Sequence, residues 1–493
     1  MSAKAEPFNP ETAYLPGAAY DEMFAPGGHT RPHYQLLAKD IEALGAEALA
    51  DRQKTLERSF LLQGITFTVY GGGATTERII PTDLFPRIIP AAEWATIEAG
   101  LIQRLKALNL FLADIYGEQR ILADGIVPRD LVLGSSAYRR QMQHLYVPHM
   151  AYANVCGSDL IRGQDGTFFV LEDNLRVPSG VSYMLANRDA SRRTFPHTFR
   201  EAGVRPVERY PDLLLSTLKS MTGDGRPNPQ IVVLTPGVYN SAYYEHAYLA
   251  RLMGVPLVEG RDLVVHENRV FMRTTEGLHR VDVIYRRVDD DFIDPLSFRR
   301  DSSLGVAGLF NAYRSGSVVI CNAPGTGIAD DKAVYAYVPS IIRYYLAEDA
   351  ILPNVKTFLC RDPAELSHVL ANLDKLVVKA VGASGGYGML VGPHASAKER
   401  ADFAEALKAN PENYVGQPTI QLSTAPCLVD GRIEPRHVDL RPFILSGDKV
   451  VVTPGALTRV ALKRGSLVVN SSQGGGSKDT WVLADDGHGS DAP

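Results

Sequence analysis

The sequence predicts a mixed α/β protein, and three stretches carry that prediction. Residues 376–391 comprise an apolar run, a turn rich in glycine and a second apolar run, which predicts a strand, a glycine-rich turn and a strand. Residues 230–259 predict a strand, a helix and a second strand, which is typical of a parallel open sheet. Residues 91–116 carry leucines at helical spacing and predict a long helix.

The other patterns place shorter elements along the chain. Apolar residues at helical spacing predict helices over 34–60 and 331–346. Apolar runs and alternation predict strands over 65–70, 151–156, 167–172, 281–286, 450–452 and 466–470. Residues 164–166, between two of these strands, carry a hairpin turn signal. Residues 1–35 predict an irregular arm, and residues 484–493 predict a disordered acidic tail.

The composition is that of an ordinary globular protein. The 493 residues are 45% hydrophobic and 22% charged, with a formal net charge of −5. This charge predicts no nucleic-acid partner, and no apolar run approaches the roughly 20 residues of a membrane span. The cysteines form no Cys-x-x-Cys pair, and the first residues contain no apolar segment resembling a secretion signal. We therefore expect a cytoplasmic protein with reduced thiols and no membrane contact.

The glycine-rich hairpin predicts a nucleotide site. Lys379 lies on its first strand, where an ammonium can face phosphate oxygens while glycine N–H groups approach the anion closely. A Walker A loop or dinucleotide fingerprint would open into a helix, and nothing helical follows Gly388 until about Ser396. Protein kinases place their lysine after the loop, and the sequence has no His-Arg-Asp or Asp-Phe-Gly motif. The pattern favours another kind of ATP site; a surface hairpin with an exposed lysine is the alternative.

Glu172 and Asn174 predict a metal site on a strand. Side chains two residues apart on a strand share a face, so these two point together, and Arg176 joins them if the strand extends that far. Asp159 lies on the partner strand across the predicted turn. Carboxylates and an amide oxygen suit Mg²⁺, which binds a few such groups together with water and phosphates. The alternative is a solvent-facing strand that ends at a proline turn.

Three weaker patterns add candidate residues. Asp331 reads as the cap of a helix whose first turn carries Lys332, and a helix N-terminus with a lysine can hold phosphate, although an ordinary capped surface helix looks the same. The extended segment around Gln421 has a backbone suited to pairing with an adenine edge. Arg441 lies within an apolar strand, where it is either an ion-paired structural residue or a planar fork for a transferring phosphoryl group.

Together these motifs resemble the circularly permuted type 2 group of the ATP-grasp superfamily, which is related to glutathionylspermidine synthase. In ordinary ATP-grasp enzymes the lysine and glycine loop come first and the Glu-x-Asn strand last, whereas here Glu172 comes well before Lys379. Similar segments occur along nearly the whole chain: 64–70, 86–94, 108–116, 171–182, 286–295 and 471–477. The resemblance implies a mixed α/β, circularly permuted ATP-grasp fold with a pre-ATP-grasp open-sheet domain and a helical N-terminal region.

The resemblance also implies where the domains begin and end. A helical accessory region would cover 1–145, and the metal-binding portion of the ATP-grasp fold would cover 146–229. The pre-ATP-grasp βαβ domain would cover 230–345, and the nucleotide-binding portion with its glycine-rich hairpin would cover 346–483. The tail 484–493 would follow it.

The resemblance implies ATP and Mg²⁺ as cofactors and a role for each motif residue. Mg²⁺ would be held by Asp159, Glu172 and Asn174. ATP would be bound by Lys332, Lys379, Gly382, Ser384, Gly385, Gly386, Gly388 and Gln421. Arg441 and Arg176 would steady an acyl phosphate. Substrate contacts are implied for Ser179, Arg286 and Asp294.

The implied reaction joins a small-molecule or peptide carboxylate to an amine. The carboxylate attacks the γ-phosphate of ATP to give an acyl phosphate and ADP, and the amine then displaces phosphate to form an amide. Specificity for glutathione or spermidine is not implied, because Ala383, Ser384 and Tyr387 stand where that synthase has charged loop residues. A phosphotransferase stays open as an alternative. So does a non-catalytic nucleotide-gated scaffold, whose partner would be an alpha-E or transglutaminase-like protein.

Overall fold

The structure is a computed structural model that describes residues 14–71, 74–223, 226–382, 388–469 and 475–485. Its α-helices span Gln35–Leu62, Ala91–Ile115, Arg120–Ala123, Arg129–Leu133, Val181–Thr194, Pro196–Glu201, Tyr210–Ser220, Tyr243–Met253, Leu309–Arg314, Lys332–Tyr335, Val338–Leu346, Pro363–Ala371 and Ala397–Ala409. Its strands are β1 (Thr66–Gly71), β2 (Ala74–Ile79), β3 (Arg87–Ile89), β4 (Val155–Arg162), β5 (Phe168–Asn174), β6 (Ile231–Leu234), β7 (Leu257–Val258), β8 (Leu263–His266), β9 (Arg269–Thr274), β10 (Gly277–Val281), β11 (Val283–Arg286), β12 (Val319–Cys321), β13 (Phe358–Leu359), β14 (Leu376–Ala380), β15 (Met389–Val391), β16 (Tyr414–Pro418), β17 (Thr424–Val429), β18 (Arg432–Ser446), β19 (Val450–Val460), β20 (Gly476–Lys478) and β21 (Thr480–Val482). The predicted mixed α/β class is confirmed.

The largest sheet joins the middle of the chain to its late strands. Its strands run in the order β20-β19-β18-β4-β5, and β17 also pairs with β18. β4 and β5 form the predicted antiparallel hairpin, in which Asp159 lies opposite Glu172. β18 pairs with β4 on one side and with β19 on the other, and Asp439 of β18 lies opposite Arg459 of β19. Charged residues far apart in sequence therefore meet on one sheet.

A second sheet is the predicted parallel one. β6, the helix Tyr243–Met253 and β7 form the strand–helix–strand unit, and the strand order β12-β11-β6-β7 is parallel at every pair. Every residue of β6 and β11 is buried, as expected for parallel strands covered on both faces. Gly237 has a φ of +100° in the turn after β6, a backbone conformation that glycine adopts without strain.

The glycine-rich hairpin belongs to a small antiparallel sheet with its own core. The strand order is β13-β16-β14-β15, and Lys379 of β14 lies opposite Met389 of β15. Val369 and Leu407, from the helices Pro363–Ala371 and Ala397–Ala409, pack with buried residues of β14 and β15 in an apolar cluster separate from the main core. The two predicted strands are confirmed, while residues 383–387 between them lie outside the described part of the chain.

One large apolar core joins most of the other elements. It contains Trp94 of the helix Ala91–Ile115, Leu234 of β6, Phe443 of β18 and Trp481 of β21. The domain boundaries stay predictions. The sheet topology adds that β17 to β20 belong to the sheet of β4 rather than to that of the glycine-rich hairpin, although they follow the hairpin in sequence.

Three local predictions differ from the structure. The strand predicted from 151 begins at Val155 and continues to Arg162. The helix predicted over 331–346 is divided into Lys332–Tyr335 and Val338–Leu346, with a proline in the first turn of the second helix. Residues 466–469 form no strand. Within the described ranges, no helix combines the length and the apolar character needed to cross a membrane.

Candidate active site

Two adjoining cavities lie between the small sheet and the largest sheet. The apolar cavity, of about 160 Å³, is lined mainly by aliphatic side chains: Ile161, Leu171, Val355, Val377, Met389, Val391, Ile420, Leu422, Leu467 and Val469. The polar cavity, of about 970 Å³, is lined mainly by charged and polar residues, among them Asp130, Arg139, Asn174, Arg176, Asp291, Asp330, Arg361 and Arg441. Glu172, Lys332 and Arg459 line both cavities and mark the junction between them.

Glu172 lies at this junction, and its partner across the hairpin carries the same charge. Its side chain is 31% exposed, and Asp159 lies directly opposite it in the β4–β5 pair. Like charges directly opposite one another destabilise a strand pair. Burial and the Asp159 charge raise the pKa of Glu172, whereas Lys332 and Lys379 act to lower it. A further cation beside Glu172 would relieve this repulsion.

Asp159 is held by two arginines. Arg441 Nε and Nη2 donate to its two carboxylate oxygens at 2.5 and 2.8 Å, and Arg459 Nη2 donates at 2.6 Å. Arg459 also donates through Nε to Asp439, the residue opposite it in β18, at 3.0 Å. Burial alone would raise the pKa of Asp159, but Arg441 and Arg459 hold it below its ordinary value. Asp159 is therefore an anion whose oxygens already have donors.

Two of the three predicted Mg²⁺ ligands, Glu172 and Asn174, could contribute oxygens to a metal. Asn174 Nδ2 donates to Gly157 O at 3.1 Å, which leaves Oδ1 available to a cation. Glu172 supplies a carboxylate, whereas both oxygens of Asp159 contact arginine. In the described ranges no three or more His, Cys, Asp or Glu residues form a closed metal site. Because Mg²⁺ commonly takes one or two carboxylates and completes its shell with water and phosphate, Glu172 and Asn174 suit it.

Lys332 and Lys379 reach the junction from different elements. Lys379 projects from β14 into the apolar cavity. Burial lowers the pKa of Lys379, Glu172 opposes this, and Lys332 adds to the lowering. Lys332 begins a short helix whose cap is Asp331, as predicted, since the Asp331 side chain accepts from the Ala333 N–H at 2.8 Å. Two lysines and the carboxylates of Glu172 and Asp159 therefore lie together at this end of the apolar cavity.

The other predicted nucleotide residues are placed in part. Gly382 lines the polar cavity, and Gly388 has a φ of +66° just before β15. Ser384, Gly385 and Gly386 lie outside the described residues. Residues 417–420 and 422 line the apolar cavity, whereas the Gln421 side chain accepts a hydrogen bond from Gln164. The segment therefore reaches the cavity, but the Gln421 side chain is directed away from it.

Arg441, Arg176 and Ser179 all line the polar cavity. Arg441 Nη1 donates to Ser179 O at 3.3 Å, so the loop after β5 is tied to β18. The Arg176 side chain is 42% exposed, and its Nε lies 3.5 Å from Asp289 and 3.8 Å from Asp330. The structure brings these three predicted residues to one cavity, and their roles stay predictions.

The structure places Arg286 and Asp294, predicted as substrate contacts, inside the fold. Both are buried, and neither lines the two cavities. Arg286 donates to Asn322 O at 2.7 Å and pairs with Asp290 at 2.6 Å. Asp294 accepts from the Phe310 N–H at 2.9 Å and from further backbone N–H groups of the loop it closes. The polar atoms of both residues are therefore used in contacts inside the fold.

Arg459, Asp330 and Arg361 also line the cavities but were missed by sequence reasoning. Arg459 is a charged residue within the apolar end of β19, the same signal that singled out Arg441. Asp330 precedes the recognised helix cap, and only tertiary packing brings it to the polar cavity. Arg361 pairs with Asp130 from a distant helix, and no local pattern marks that contact.

Comparisons with known proteins identify the family. Residues 86–461 match the sequence profile of the family described as circularly permuted ATP-grasp type 2. An uncharacterized protein of Synechocystis sp. is 53% identical over 472 residues, which cover 96% of this chain and 98% of that protein. A Frankia alni protein named "Putative glutamate--cysteine ligase 2-3" is 43% identical over 472 residues, covering 94% of this chain and 54% of that protein.

Among solved structures, the fold is similar to that of a glutathione synthetase-like effector from Globodera pallida in its apo form. The match has a TM-score of 0.55 and covers 89% of this chain and 98% of that one, at 12% sequence identity. This likeness concerns the fold alone. The sequence profile covers most of the chain, and the Synechocystis relative is similar along nearly its whole length. The chain therefore belongs to the circularly permuted ATP-grasp type 2 family.

Proposed function

We propose that this protein is an ATP- and Mg²⁺-dependent ligase that joins a carboxylate to an amine through an acyl phosphate. Membership of the ATP-grasp family and the ligase name of the Frankia relative support an ATP-dependent ligase in general. The acyl phosphate, the carbon–nitrogen bond and the residue roles are inferred from the chemistry of the residues that line the two cavities.

The proposal rests most directly on the junction of Lys332, Lys379 and Glu172. These residues come from the helix Lys332–Tyr335, from β14 and from β5, and all three line the apolar cavity. An apolar cavity suits an adenine ring, and lysines at its end suit phosphate oxygens. The polar cavity continues from the same point, so a γ-phosphate at the junction would face the space in which a substrate binds.

The chain's own residues then have separate tasks in the phosphoryl-transfer step. Lys332 and Lys379 hold the phosphates, because transfer depends mainly on positioning and on neutralising charge. Glu172 and Asn174 would hold Mg²⁺, which supplies charge neutralisation to the phosphate oxygens when bound. Arg441 presents a planar guanidinium to the polar cavity next to Ser179 and stabilises the developing acyl phosphate.

The second step needs no protein nucleophile. The substrate amine attacks the acyl phosphate, the carbon–nitrogen bond forms, and phosphate leaves with the electron pair of the broken carbon–oxygen bond. All 4 cysteines are buried, in keeping with a reaction that needs no thiol nucleophile. Arg176, which is 42% exposed in the polar cavity, is positioned for the departing phosphate or for a substrate carboxylate.

The test is a screen for ADP and phosphate release that depends on two added substrates. Purified protein with ATP and Mg²⁺ is given pairs of a carboxylate and an amine, beginning with L-glutamate and L-cysteine because of the name of the Frankia relative. The expected result is ADP formation that needs the carboxylate, rises with the amine, and is matched by an amide product in the mass spectrum.

Two results would contradict the ligase. Release of ADP that is independent of any amine, with a stable phosphorylated product, would identify a phosphotransferase. Nucleotide binding without turnover across the whole panel would favour the scaffold. Glu172→Gln serves as the matched control, because it removes one charge without changing the size of the side chain and should abolish turnover.

A further inference from the structure

Asp330 is a carboxylate in the polar cavity that none of the steps above uses. It ends the short 3₁₀ turn Thr326–Asp330, immediately before the cap of the Lys332 helix. Its Oδ1 accepts from the Leu175 N–H at 2.5 Å, which fixes the carboxylate against the end of β5. The side chain is 22% exposed and lines the polar cavity beside Arg176.

The second oxygen of Asp330 is directed differently from the first. Asp330 Oδ2 lies 3.8 Å from Arg176 Nε, which is longer than a hydrogen bond. Asp289, on the other side of Arg176 at 3.5 Å, does not line the cavity, whereas Asp330 does. Of the two carboxylates flanking Arg176, Asp330 is therefore the one that a molecule in the polar cavity can contact.

We propose that Asp330 Oδ2 accepts the proton of the attacking amine; this rests on the ligase function proposed above. The amine nitrogen forms the carbon–nitrogen bond to the acyl carbon. The carbon–oxygen bond to phosphate breaks, and phosphate leaves with the bonding electrons. The amine enters as an ammonium ion, and its first proton moves to Asp330 Oδ2 before the nitrogen attacks, and passes from there to water. The second proton leaves with the departing phosphate. Arg176, beside Asp330, faces the phosphate that departs.

The surroundings of Asp330 favour this role over a purely structural one. Burial raises the pKa of Asp330 to about 7, with a contribution in the same direction from Glu172, while Arg176 and the Leu175 N–H act to lower it. A carboxylate that protonates near neutral pH can take up and release a proton in each turnover. By contrast, Asp290 in the same region is paired with Arg286 at 2.6 Å and with Arg139 at 3.4 Å.

The experiment compares two nucleophiles in the wild-type protein and in two variants. The active pair from the substrate screen supplies the carboxylate and an alkyl amine, which is an ammonium ion at neutral pH. Hydroxylamine, which is uncharged there and traps acyl phosphates as hydroxamates, replaces the amine in a parallel assay. Asp330→Asn is the test variant, and Asp289→Asn is its control, because both lose a carboxylate next to Arg176 but only Asp330 lines the cavity.

We expect Asp330→Asn to lower amide formation by about 100-fold or more while hydroxamate formation falls by less than about 5-fold, since a positioned base typically contributes this much. Asp289→Asn should change both products little and equally. An equal loss of amide and hydroxamate in Asp330→Asn, or no loss of either, would overturn the proposal. So would weaker Mg²⁺-dependent binding of an ATP analogue to Asp330→Asn, which would place Asp330 in the nucleotide site.

Failure of the ligase function has a different signature. In that case the wild-type protein itself would form neither amide nor hydroxamate with any carboxylate of the panel. The role of Asp330 is tested when the wild-type protein forms both products and the variant is compared with it. It is also tested by the binding of the ATP analogue to the variant.

Discussion

Two arginine clusters of this protein are built from the same residue types and have different surroundings. In the first, Arg441 and Arg459 converge on Asp159, and all three line the cavities. In the second, Arg286 pairs with Asp290 and donates its other N–H groups to backbone carbonyls, including that of Asn322. The Arg286 side chain is 0% exposed, whereas that of Arg441 is 13% exposed.

The difference shows what separates a structural arginine from one that a ligand can reach. Burying a guanidinium is costly unless its donors are satisfied, and carbonyls at fixed positions satisfy those of Arg286. Arg441 shares Asp159 with Arg459, which also pairs with Asp439, so the two arginines are balanced by two carboxylates. Unlike Arg286, Arg441 lines the polar cavity, where an entering anion can reach its guanidinium.

The carboxylates of the two regions differ in the same way. Burial and Asp159 raise the pKa of Glu172. Burial alone would also raise the pKa of Asp290, but Arg286 and Arg139 hold it below its ordinary value. The ionised form of Glu172 therefore destabilises the folded protein, and the ionised form of Asp290 stabilises it. Such strain at a site residue is expected where a cation or substrate supplies the missing interaction.

Replacing the central arginine of each cluster by methionine should give the largest contrast. Arg286→Met leaves Asp290 short of its partner and should lower the free energy of unfolding by about 3–5 kcal/mol. Arg441→Met leaves Asp159 paired with Arg459, so it should cost only about 1 kcal/mol. Its turnover should fall by about 100-fold. Urea unfolding and ADP release measure the two effects; equal losses of stability would remove the distinction.

The hairpin lysine should carry most of the ATP affinity at the junction. Lys379→Ala should weaken binding of a non-hydrolysable ATP analogue by about 100-fold, because a partly buried cation facing phosphate is lost. Lys375→Ala removes an exposed lysine just before the same strand and should leave the affinity unchanged. Calorimetric titration of both variants decides the matter, and an unchanged affinity in Lys379→Ala would move the phosphate site elsewhere.

The two carboxylates should respond oppositely to neutralisation, with a pH dependence that follows from their pKa shifts. Asp290→Asn should destabilise the fold by about 2 kcal/mol at neutral pH. Because the folded pKa of Asp290 is lowered, this loss should persist above the ordinary carboxyl pKa and shrink as the pH falls below it. Glu172→Gln should stabilise the fold at neutral pH.

The gain in Glu172→Gln has its own pH window. The folded pKa of Glu172 is raised, so the penalty for its ionised form is complete above that raised value. It fades as the pH falls towards the ordinary glutamate pKa, where the side chain is protonated in both states. Urea unfolding across this range tests both carboxylates. A lower free energy of unfolding in Glu172→Gln at neutral pH would contradict the conclusion that ionised Glu172 destabilises the fold.

The parts of the site that were predictable from sequence depend on short-range pattern. Lys379 and Glu172 stand in strands whose alternation and neighbouring turns are visible locally, and the structure brings both to one cavity. Arg459 stands in an apolar strand as Arg441 does, but its contact with Asp159 was not predictable, because it depends on the pairing of β19, β18 and β4. The burial of Arg286 was not predictable either, because its bonds to carbonyls such as that of Asn322 form only in the folded chain.

The smallest effect concerns the extended segment around Gln421, which was predicted to pair with adenine. Gln421 accepts a hydrogen bond from Gln164, whereas Leu422 next to it lines the apolar cavity. Gln421→Ala should therefore change ATP-analogue affinity by less than about 2-fold, and Leu422→Ala should weaken it by about 10-fold through lost apolar contact. The reverse order, measured by the same titration, would restore Gln421 as a nucleotide contact.

The most direct test of the ATP site is calorimetric titration of the wild-type protein and Glu172→Ala with a non-hydrolysable ATP analogue, with and without Mg²⁺. We expect Mg²⁺ to tighten binding to the wild-type protein by about 10-fold or more and to have little effect on the variant. Without Mg²⁺ the variant should bind at least as tightly as the wild type, because a negative charge beside the phosphates is gone. Equal Mg²⁺ dependence in both proteins, or no binding to either, would contradict an ATP-grasp site at these residues.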